Sequence, residues 1–336
     1  MDLPELRAVA KQTGMPPFAA AQMARWLYKG HVDNISQMSD ISKANREKLA
    51  QNYCIGRRAP TESQQSADGT VKYLFPTTGG KYVETVYIPE GERATLCVSS
   101  QVGCKMNCLF CQTGKQGFEG NLTAGDIINQ VEALPQRDTL TNIVFMGQGE
   151  PLDNLASVLK ATGIMTAPYG YAFSPRRITI SSVGIKGKLE KLLDMSPCHV
   201  AISMHNAFGE ERARLMPAER QMGIADVVAL LKRYDFSHQR RVSFEYILFR
   251  GVNDTMRHAR EIVRLTSQLK CRINLIRFHP IAGVELQGSD EDTMVMFRDY
   301  LTRHGTFATI RASRGQDILA ACGLLSTANK RNEKQA

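Results

Sequence analysis

The sequence lacks the segments that place a chain in a membrane or direct it to secretion. None of its apolar runs approaches the roughly 20 residues that a transmembrane helix needs. Its first residues, Met1–Leu6, contain no basic stretch followed by an apolar one, so no secretory signal is evident. We therefore predict a cytoplasmic protein without a membrane segment. In that reducing compartment we expect the eight cysteines to serve chemistry or burial, and not structural disulfides.

The sequence also lacks internal repeats, low-complexity linkers and the Gly-x-Gly-x-x-Gly loop that opens a dinucleotide-binding domain. Its 336 residues suffice for about two domains, or for one barrel with an appendage. Acidic residues are outnumbered, with 33 Asp and Glu against 42 Lys and Arg, which gives a formal net charge of +9. This excess fits a polyanionic partner such as RNA, although an anionic small molecule or a solvated basic surface would account for it as well.

Three cysteines stand close together at the spacing C-x3-C-x2-C, and a fourth ligand is missing beside them. They are Cys104, Cys108 and Cys111, and the next cysteine or histidine in the chain is Cys198. A structural zinc site requires four protein ligands, whereas three thiolates on a 4Fe–4S cluster leave one iron open to a substrate or cofactor. The spacing therefore favours a 4Fe–4S cluster with three cysteine ligands over a zinc knuckle.

Strand and helix signals alternate from Ala94 onward, and six β-α units in series predict a parallel sheet with helices outside it. The predicted strands are 94–98, 142–146, 177–182, 199–204, 241–248 and 273–278, with a last strand over 307–312. The predicted helices are 123–134, 153–166, 186–194, 224–234, 255–268 and 290–303.

Four segments carry a resemblance to a known family. The cysteine spacing, with the aromatic Phe110 before the last cysteine, resembles that of the radical S-adenosylmethionine (radical SAM) superfamily. The wider match resembles the radical SAM adenine-C2 methyltransferases that act on 23S rRNA and tRNA. It consists of Ala94–Cys104, Met146–Pro151, Ser203–His205 and Asp317–Gly323, and the similarity covers nearly the whole chain.

The resemblance implies an α/β fold: a partial (β/α)6 barrel with an N-terminal helical domain, a β-hairpin extension and a C-terminal strand extension. In such barrels the chemistry sits at the carboxyl ends of the strands. The cysteine loop, Gly149-Glu150-Pro151, Ser181 and Ser203–His205 follow the first four predicted strands in that order, so motif placement and strand order agree.

We predict four parts of the chain, the last of which ends in a disordered polar tail over 329–336. The parts are an accessory RNA-binding domain (1–60), a hairpin linker (61–93), the barrel (94–312) and a C-terminal segment with the methyl-accepting cysteine (313–336).

The N-terminal part is helical and basic. Apolar residues recur at helical spacing over Pro16–Tyr28, and a second helix follows Asp40. Trp26 lies in the apolar stripe, which is more consistent with a core position than with stacking on a base. The basic residues are Arg25, Lys29, Lys43, Arg46, Lys48, Arg57 and Arg58.

A hairpin is predicted next, because Thr70–Phe75 and Lys81–Ile88 alternate as strands do and flank a turn at 77–80. Glu84 lies in the second strand between apolar neighbours. The pattern alone favours an exposed strand glutamate, whereas the resemblance implies that Glu84 is a proton acceptor.

The resemblance implies roles for further residues. Cys322 would accept a methyl group and Cys97 would resolve the resulting intermediate, while Cys54, Cys198 and Cys271 are expected to be buried and inert. The contacts implied for S-adenosylmethionine are Gly149, Glu150, Ser181, Ser203, Met204, His205 and His279. His279 stands where the family most often has Asn, and Leu324 replaces a polar residue near Cys322.

The implied reaction is consistent with the chemistry of these residues. Adenine C2 is electron-poor and does not attack a methyl sulfonium, but a thiolate does. The resemblance implies that Cys322 takes a methyl group from one S-adenosylmethionine and that a second is cleaved reductively. The methyl carbon then joins C2 in a covalent enzyme–RNA adduct, which Cys97 opens by forming a disulfide with Cys322. The target base must leave its stack, which suits looped or single-stranded RNA.

Two alternatives remain open. A C8-methylating relative within the superfamily uses the same cysteine pair, and a zinc-stabilised RNA-binding module would involve no catalysis. For the main hypothesis we expect 23S rRNA and tRNA as substrates, an electron donor such as a flavodoxin or ferredoxin system, and a monomer.

Overall fold

The computed structural model describes residues 1–238 and 240–327, so the tail predicted over 329–336 lies outside the described residues. Within these two ranges, no helix is long and apolar enough to cross a membrane. The helices are α1 (Leu3–Gln12), α2 (Ala19–Tyr28), α3 (Lys43–Asn52), α4 (Gln112–Gln116), α5 (Ala124–Glu132), α6 (Leu155–Thr166), α7 (Lys188–Met195), α8 (Gly209–Leu215), α9 (Ile224–Leu231), α10 (Met256–Thr266) and α11 (Glu291–Arg303). The strands are β1 (Glu62–Gln65), β2 (Val71–Pro76), β3 (Tyr82–Glu90), β4 (Arg93–Cys97), β5 (Gln101–Val102), β6 (Gly120–Asn121), β7 (Asn142–Phe145), β8 (Ile178–Ser182), β9 (His199–Ser203), β10 (Val242–Leu248), β11 (Cys271–Arg277) and β12 (Ala308–Ile310).

One ten-stranded sheet organises the molecule, in the order β1-β2-β3-β4-β7-β8-β9-β10-β11-β12. The strands from β4 to β12 in this order run parallel, whereas β1, β2 and β3 form an antiparallel extension beside β4. No pairing in the described chain closes β1 onto β12, so the barrel is partial. The predicted α/β architecture, with its hairpin extension and last strand, is confirmed.

The parallel strands are apolar because helices cover the outer face of the sheet. Ile202 on β9 and Phe244 and Tyr246 on β10 are fully buried in the main core. Successive helices along the chain are neighbours in space, for example α5 with α6 and α9 with α10. A capping box between Thr123 and Asp126 begins α5, as the sequence predicts.

The N-terminal helices pack into the same core. Two arginines that the sequence placed among the basic residues of the RNA-binding domain contact the barrel. Arg57 pairs with Glu132 on α5, and Arg58 pairs with Asp126 on α5 at 2.6 Å. Both guanidinium groups therefore attach this domain to the barrel instead of facing solvent. Trp26 packs partly buried against the core, as expected.

Several short elements are not predicted by the sequence, namely α1, α4, α8, β1 and the small β5–β6 pair. Elements this short carry too few residues for a periodic pattern, and the ten residues of α1 precede the first apolar stripe that the sequence makes evident. One cysteine prediction is wrong. Cys54 is exposed, because it lies in the irregular segment that follows α3.

Candidate active site

The cysteine loop lies between β5 and α4, and a close backbone approach shapes it. Gly103 has a positive φ of +70°, and a Cβ there would lie 1.7 Å from the carbonyl oxygen of Gly117. Only glycine therefore permits this crossing, in which the N–H of Cys104 donates to the same oxygen at 3.2 Å. Phe110 packs edge-on against His205, with ring centroids 4.7 Å apart, and so covers one side of the loop.

A cavity of about 150 Å³ at the carboxyl ends of the strands collects most of the predicted cofactor residues. The residues from the sequence prediction that line it are Cys104, Cys108, Cys111, Gly149, Glu150, Ser181, Ser203, His205 and Cys322. The parallel sheet explains this convergence, because the loops after β4, β7, β8 and β9 all leave the sheet at one edge.

The Gly149-Glu150 turn places a carboxylate inside this cavity. Gly149 has a φ of +97°, and a Cβ there would lie 2.5 Å from the Cβ of Gln101. The buried carboxylate of Glu150 accepts hydrogen bonds from the backbone N–H groups of Leu152 and Val183, both at 3.0 Å. Burial raises its pKa, and these hydrogen bonds oppose the rise. The turn thus offers an acceptor that an ammonium group can bind.

His205 lies two residues after β9 and is a neutral hydrogen-bond donor. Its Nδ1 accepts from the N–H of Ile247 at 3.0 Å. Burial, and secondarily the charge of Arg212, lowers its pKa to about 3. The ring proton therefore lies on Nε2. Met204 differs from its neighbours, because its side chain belongs to the main core and does not line the cavity.

Sequence reasoning missed Arg212 on α8, which supports this end of the sheet. The guanidinium is fully buried and donates to the backbone oxygens of Met204, Val183 and Ser203 at 2.8–2.9 Å. It also pairs with Glu219. These bonds hold the carboxyl ends of β8 and β9 together. Nothing in the sequence distinguishes Arg212 from Arg214 on the same helix, yet Arg214 is exposed.

Cys97 and Cys322 line one cavity of about 370 Å³, together with His279. Cys322 also lines the smaller cavity with the three clustered cysteines, so it stands where the two spaces meet. Burial raises the pKa of Cys97, and the neighbouring Cys322 raises it further. Cys97 is therefore a buried, protonated thiol near neutral pH, whereas Cys322 is exposed.

The segment that carries Cys322 is held from two sides. On one side, the N–H of Gln112 on α4 donates to Gly323 O at 2.7 Å, and Thr113 Oγ1 donates to Leu325 O at 2.6 Å. On the other, Asp317 accepts from Ser66 Oγ at 2.6 Å, beside the β1–β2 turn. Leu324, the departure from the family pattern, is buried against Ile281, Val284 and Ala321.

Glu84 is buried, so the pattern-based expectation of an exposed glutamate is wrong. Its carboxylate contacts Lys72 Nζ at 3.2 Å and accepts from the N–H of Ser326 at 2.7 Å. It lines a separate cavity of about 830 Å³ on the other side of the C-terminal segment, and not the two cavities around Cys322.

The three clustered cysteines fit an iron–sulfur cluster. Their thiols line one open space, as they would around a multi-iron cluster in which each iron takes one thiolate, whereas a structural zinc site requires four protein ligands. Burial raises the pKa of Cys104 to about 12 and raises that of Cys108 well above its usual value, so a bound cation is needed to stabilise the thiolates.

A partial parallel barrel with three such cysteines at its carboxyl edge defines a radical SAM enzyme, and comparisons with known proteins agree. Residues 98–263 match the radical SAM superfamily, and residues 1–55 match the ribosomal RNA large subunit methyltransferase N-terminal domain. A radical SAM methyltransferase from Sphaerobacter thermophilus superposes with a TM-score of 0.90, at 36% identity and with 98% of each chain covered.

Curated relatives identify the family. The probable dual-specificity RNA methyltransferase RlmN of Bacteroides thetaiotaomicron is 58% identical over all of this chain and 97% of its own length. The dual-specificity RNA methyltransferase RlmN of Syntrophotalea carbinolica is 41% identical over 96% of this chain and 87% of its own length. The chain belongs to the RlmN family of radical SAM RNA methyltransferases. The predicted family and enzyme class are confirmed, and the family uses a 4Fe–4S cluster and S-adenosylmethionine.

Proposed function

We propose that this enzyme methylates C2 of an adenine in 23S rRNA and of the adenine 3′ of the anticodon in tRNA, with Cys322 as the methyl carrier. The observation that carries the proposal is the position of Cys322, which lines both the cavity of the clustered cysteines and the cavity of Cys97. A carrier thiol needs this placement, because it must first meet the methyl donor and later a resolving thiol.

The chain would hold the cofactors as follows. Cys104, Cys108 and Cys111 would bind one 4Fe–4S cluster per chain, leaving one iron for S-adenosylmethionine, of which two molecules are consumed per methyl transferred. Reductive cleavage of S-adenosylmethionine is the chemistry that the cluster supplies. The residues proposed to bind S-adenosylmethionine are Gly149, Glu150, Ser181, Ser203, His205 and His279. Met204, which the resemblance also implied, is left out because its side chain lies in the main core.

Two residues would complete the reaction. Glu84 would accept the C2 proton, and the Lys72 ammonium 3.2 Å away favours the ionised carboxylate that a proton acceptor needs. Because the N–H of Ser326 occupies the same carboxylate, this role requires the C-terminal segment to move when RNA binds. Cys97 would attack the sulfur of Cys322, which releases the methylated RNA and leaves a disulfide for an external reductant.

The partners and domain roles extend the same proposal. A flavodoxin or ferredoxin system would supply electrons, and the protein would act as a monomer. Residues 1–60 would contribute to RNA binding through cations that remain exposed, such as Lys29, Lys43 and Lys48, since Arg57 and Arg58 pair with the barrel.

The test is an anaerobic reaction with unmodified 23S rRNA and tRNA, followed by nuclease digestion and mass spectrometry. We expect 2-methyladenosine from both RNAs, and none from Cys322→Ala. Formation of 8-methyladenosine instead would contradict the C2 assignment and favour the C8-methylating alternative.

A further inference from the structure

A fourth cavity, of about 510 Å³, opens at the amino ends of the parallel strands, opposite the cysteine loop. Its lining includes the start of β7 at Asn142, of β9 at His199 and of β11 at Cys271. Strands of five to seven residues separate this opening from the carboxyl edge by about 20 Å. We call it the amino-end mouth and define it by its cations Arg93, Arg176, Arg241, Lys270, Arg272 and Arg311.

The amino-end mouth is strongly cationic. All six of its cations are exposed, and none forms an ion pair within the described ranges. Glu245, at the inner end, is the single carboxylate among the residues that line it in the described chain. The pKa of His199 in this lining is lowered to about 4, by burial first and then by Arg241, Arg176 and Arg240.

An aromatic side chain stands among these cations. Phe307 is 51% exposed at the rim, and the guanidinium of Arg272 lies 5.0 Å from its ring centroid. Cations that track a backbone, together with an exposed aromatic ring on which a base stacks, characterise sites for single-stranded nucleic acid.

The amino-end mouth is continuous with the candidate active site. Met146 and Glu245 line this cavity and both cavities around Cys322, and Arg93 and Arg311 line both the mouth and the Cys97–Cys322 cavity. One oxygen of the Glu245 carboxylate has no hydrogen-bond partner in the described structure, although this side chain is buried. Met146 and Glu245 therefore stand between the cationic rim and the two cavities around Cys322.

We propose that the amino-end mouth binds the sugar–phosphate backbone of the substrate RNA and that the target base passes inward from it, past Met146 and Glu245, to Cys322. This inference rests on the proposed function, because it assigns the entry route of that same substrate. An acidic electron-donor protein is the other polyanion that a cationic surface attracts. RNA is favoured because the mouth shares Arg93, Glu245 and Arg311 with the cavity of Cys322, whereas the cysteine loop lies at the opposite end of the strands.

The test compares two variants that each lose three positive charges. Arg176→Gln/Arg241→Gln/Arg272→Gln alters the mouth, and Lys191→Gln/Arg260→Gln/Arg303→Gln alters exposed positions on α7, α10 and α11. Binding of an unmodified RNA hairpin with an adenine in its loop is measured against salt concentration. Each lost phosphate contact should reduce the slope of the logarithm of the binding constant against the logarithm of salt concentration by about 0.7, so the slope of the mouth variant should be smaller by about 2. Its binding should be up to about 100-fold weaker at about 0.1 M salt. The control variant should bind within about twofold of the wild type.

A second measurement uses the unaltered protein. Bound RNA hairpin should protect Lys270 in the mouth from acetylation, and should leave Lys191 on α7 as reactive as before. Cleavage of S-adenosylmethionine by dithionite-reduced enzyme without RNA should be equal in all variants, which separates loss of RNA binding from loss of the cluster.

Two outcomes would overturn the inference. One is an unchanged salt slope in the mouth variant with Lys270 unprotected. The other is normal RNA binding by the mouth variant combined with slow reduction of its cluster by an acidic flavodoxin, which would assign the mouth to the electron donor. A wild-type enzyme that binds RNA through the mouth but forms 8-methyladenosine would contradict the proposed regiochemistry and leave this inference standing.

Discussion

At the scale of single residues, the pairing of Cys97 with Cys322 separates this site from an ordinary radical SAM cavity. The two thiols line the same space, and Val86, Val144 and Leu325 pack around Cys97. Cys198, in contrast, is buried in the main core and lines none of the cavities around the site. It therefore serves as a matched control for the loss of a buried sulfur.

Changing Cys97→Ala should trap the enzyme on its substrate. Methyl loading of Cys322 and addition of the methyl carbon to adenine do not need the second thiol, but release does. We expect the protein to accumulate covalently joined to RNA, as a slow band on a denaturing gel that nuclease removes. Cys198→Ala should show no such band.

A double variant, Cys97→Ala/Cys322→Ala, should abolish the band, because the bridging sulfur is then absent. Release of methylated RNA by Cys97→Ala over many turnovers, without a trapped species, would exclude the resolving role.

At the scale of elements, the C-terminal segment depends on contacts that bridge the whole chain. Asp317 accepts from Ser66 Oγ at 2.6 Å and from the N–H of Ala67 at 3.2 Å, about 250 positions away in sequence. Asp68 accepts in turn from the N–H of Gly315 at 2.9 Å. The hairpin thus does more than extend the sheet, because it holds one side of the segment that carries Cys322.

Asp317→Ala should loosen this segment. Loss of two hydrogen bonds at an exposed position should raise the rate at which iodoacetamide alkylates Cys322 by roughly 2- to 10-fold, because each such bond contributes modestly. The rate is followed by mass spectrometry of the Cys322 peptide, with Asp292→Ala, at the exposed start of α11, as the control. Equal alkylation rates in both variants would contradict a role of Asp317 in holding the segment.

At the scale of the whole molecule, the barrel is open at both ends and carries different chemistry at each. The carboxyl edge gathers the cysteines and Glu150, while the amino-end mouth gathers cations. Parallel strands make this separation possible, because they send all their carboxyl ends to one edge.

The metal content of the intact protein should reflect this architecture. After anaerobic reconstitution we expect about four irons per chain and a brown colour. Cys104→Ala, Cys108→Ala or Cys111→Ala should abolish both the colour and S-adenosylmethionine cleavage, whereas Cys54→Ala, at an exposed position outside these cavities, should abolish neither. Stoichiometric zinc without iron would contradict the proposed mechanism.

Much of this protein is determined by local patterns in its sequence. The positions of the parallel strands follow from apolar runs, and the start of α5 follows from Thr123 and Asp126, because these signals depend on neighbours within a few residues. The cysteine spacing favours a three-thiolate cluster on local grounds, whereas the other members of the cofactor cavity were predicted from the family resemblance. Regular β-α alternation then leaves few ways to arrange the sheet.

Only the tertiary structure decided the remaining features. Arg212 and Arg214 look alike in sequence, yet one is fully buried beneath the cavity and the other is exposed. Arg57 and Arg58 are indistinguishable from RNA-facing cations until α5 is placed beside them. Cys322 lies near Cys97 because the hairpin and α4 hold the C-terminal segment, which is more than 200 residues away from them in sequence. Such contacts depend on how the folded chain packs, and no local pattern in the sequence encodes them.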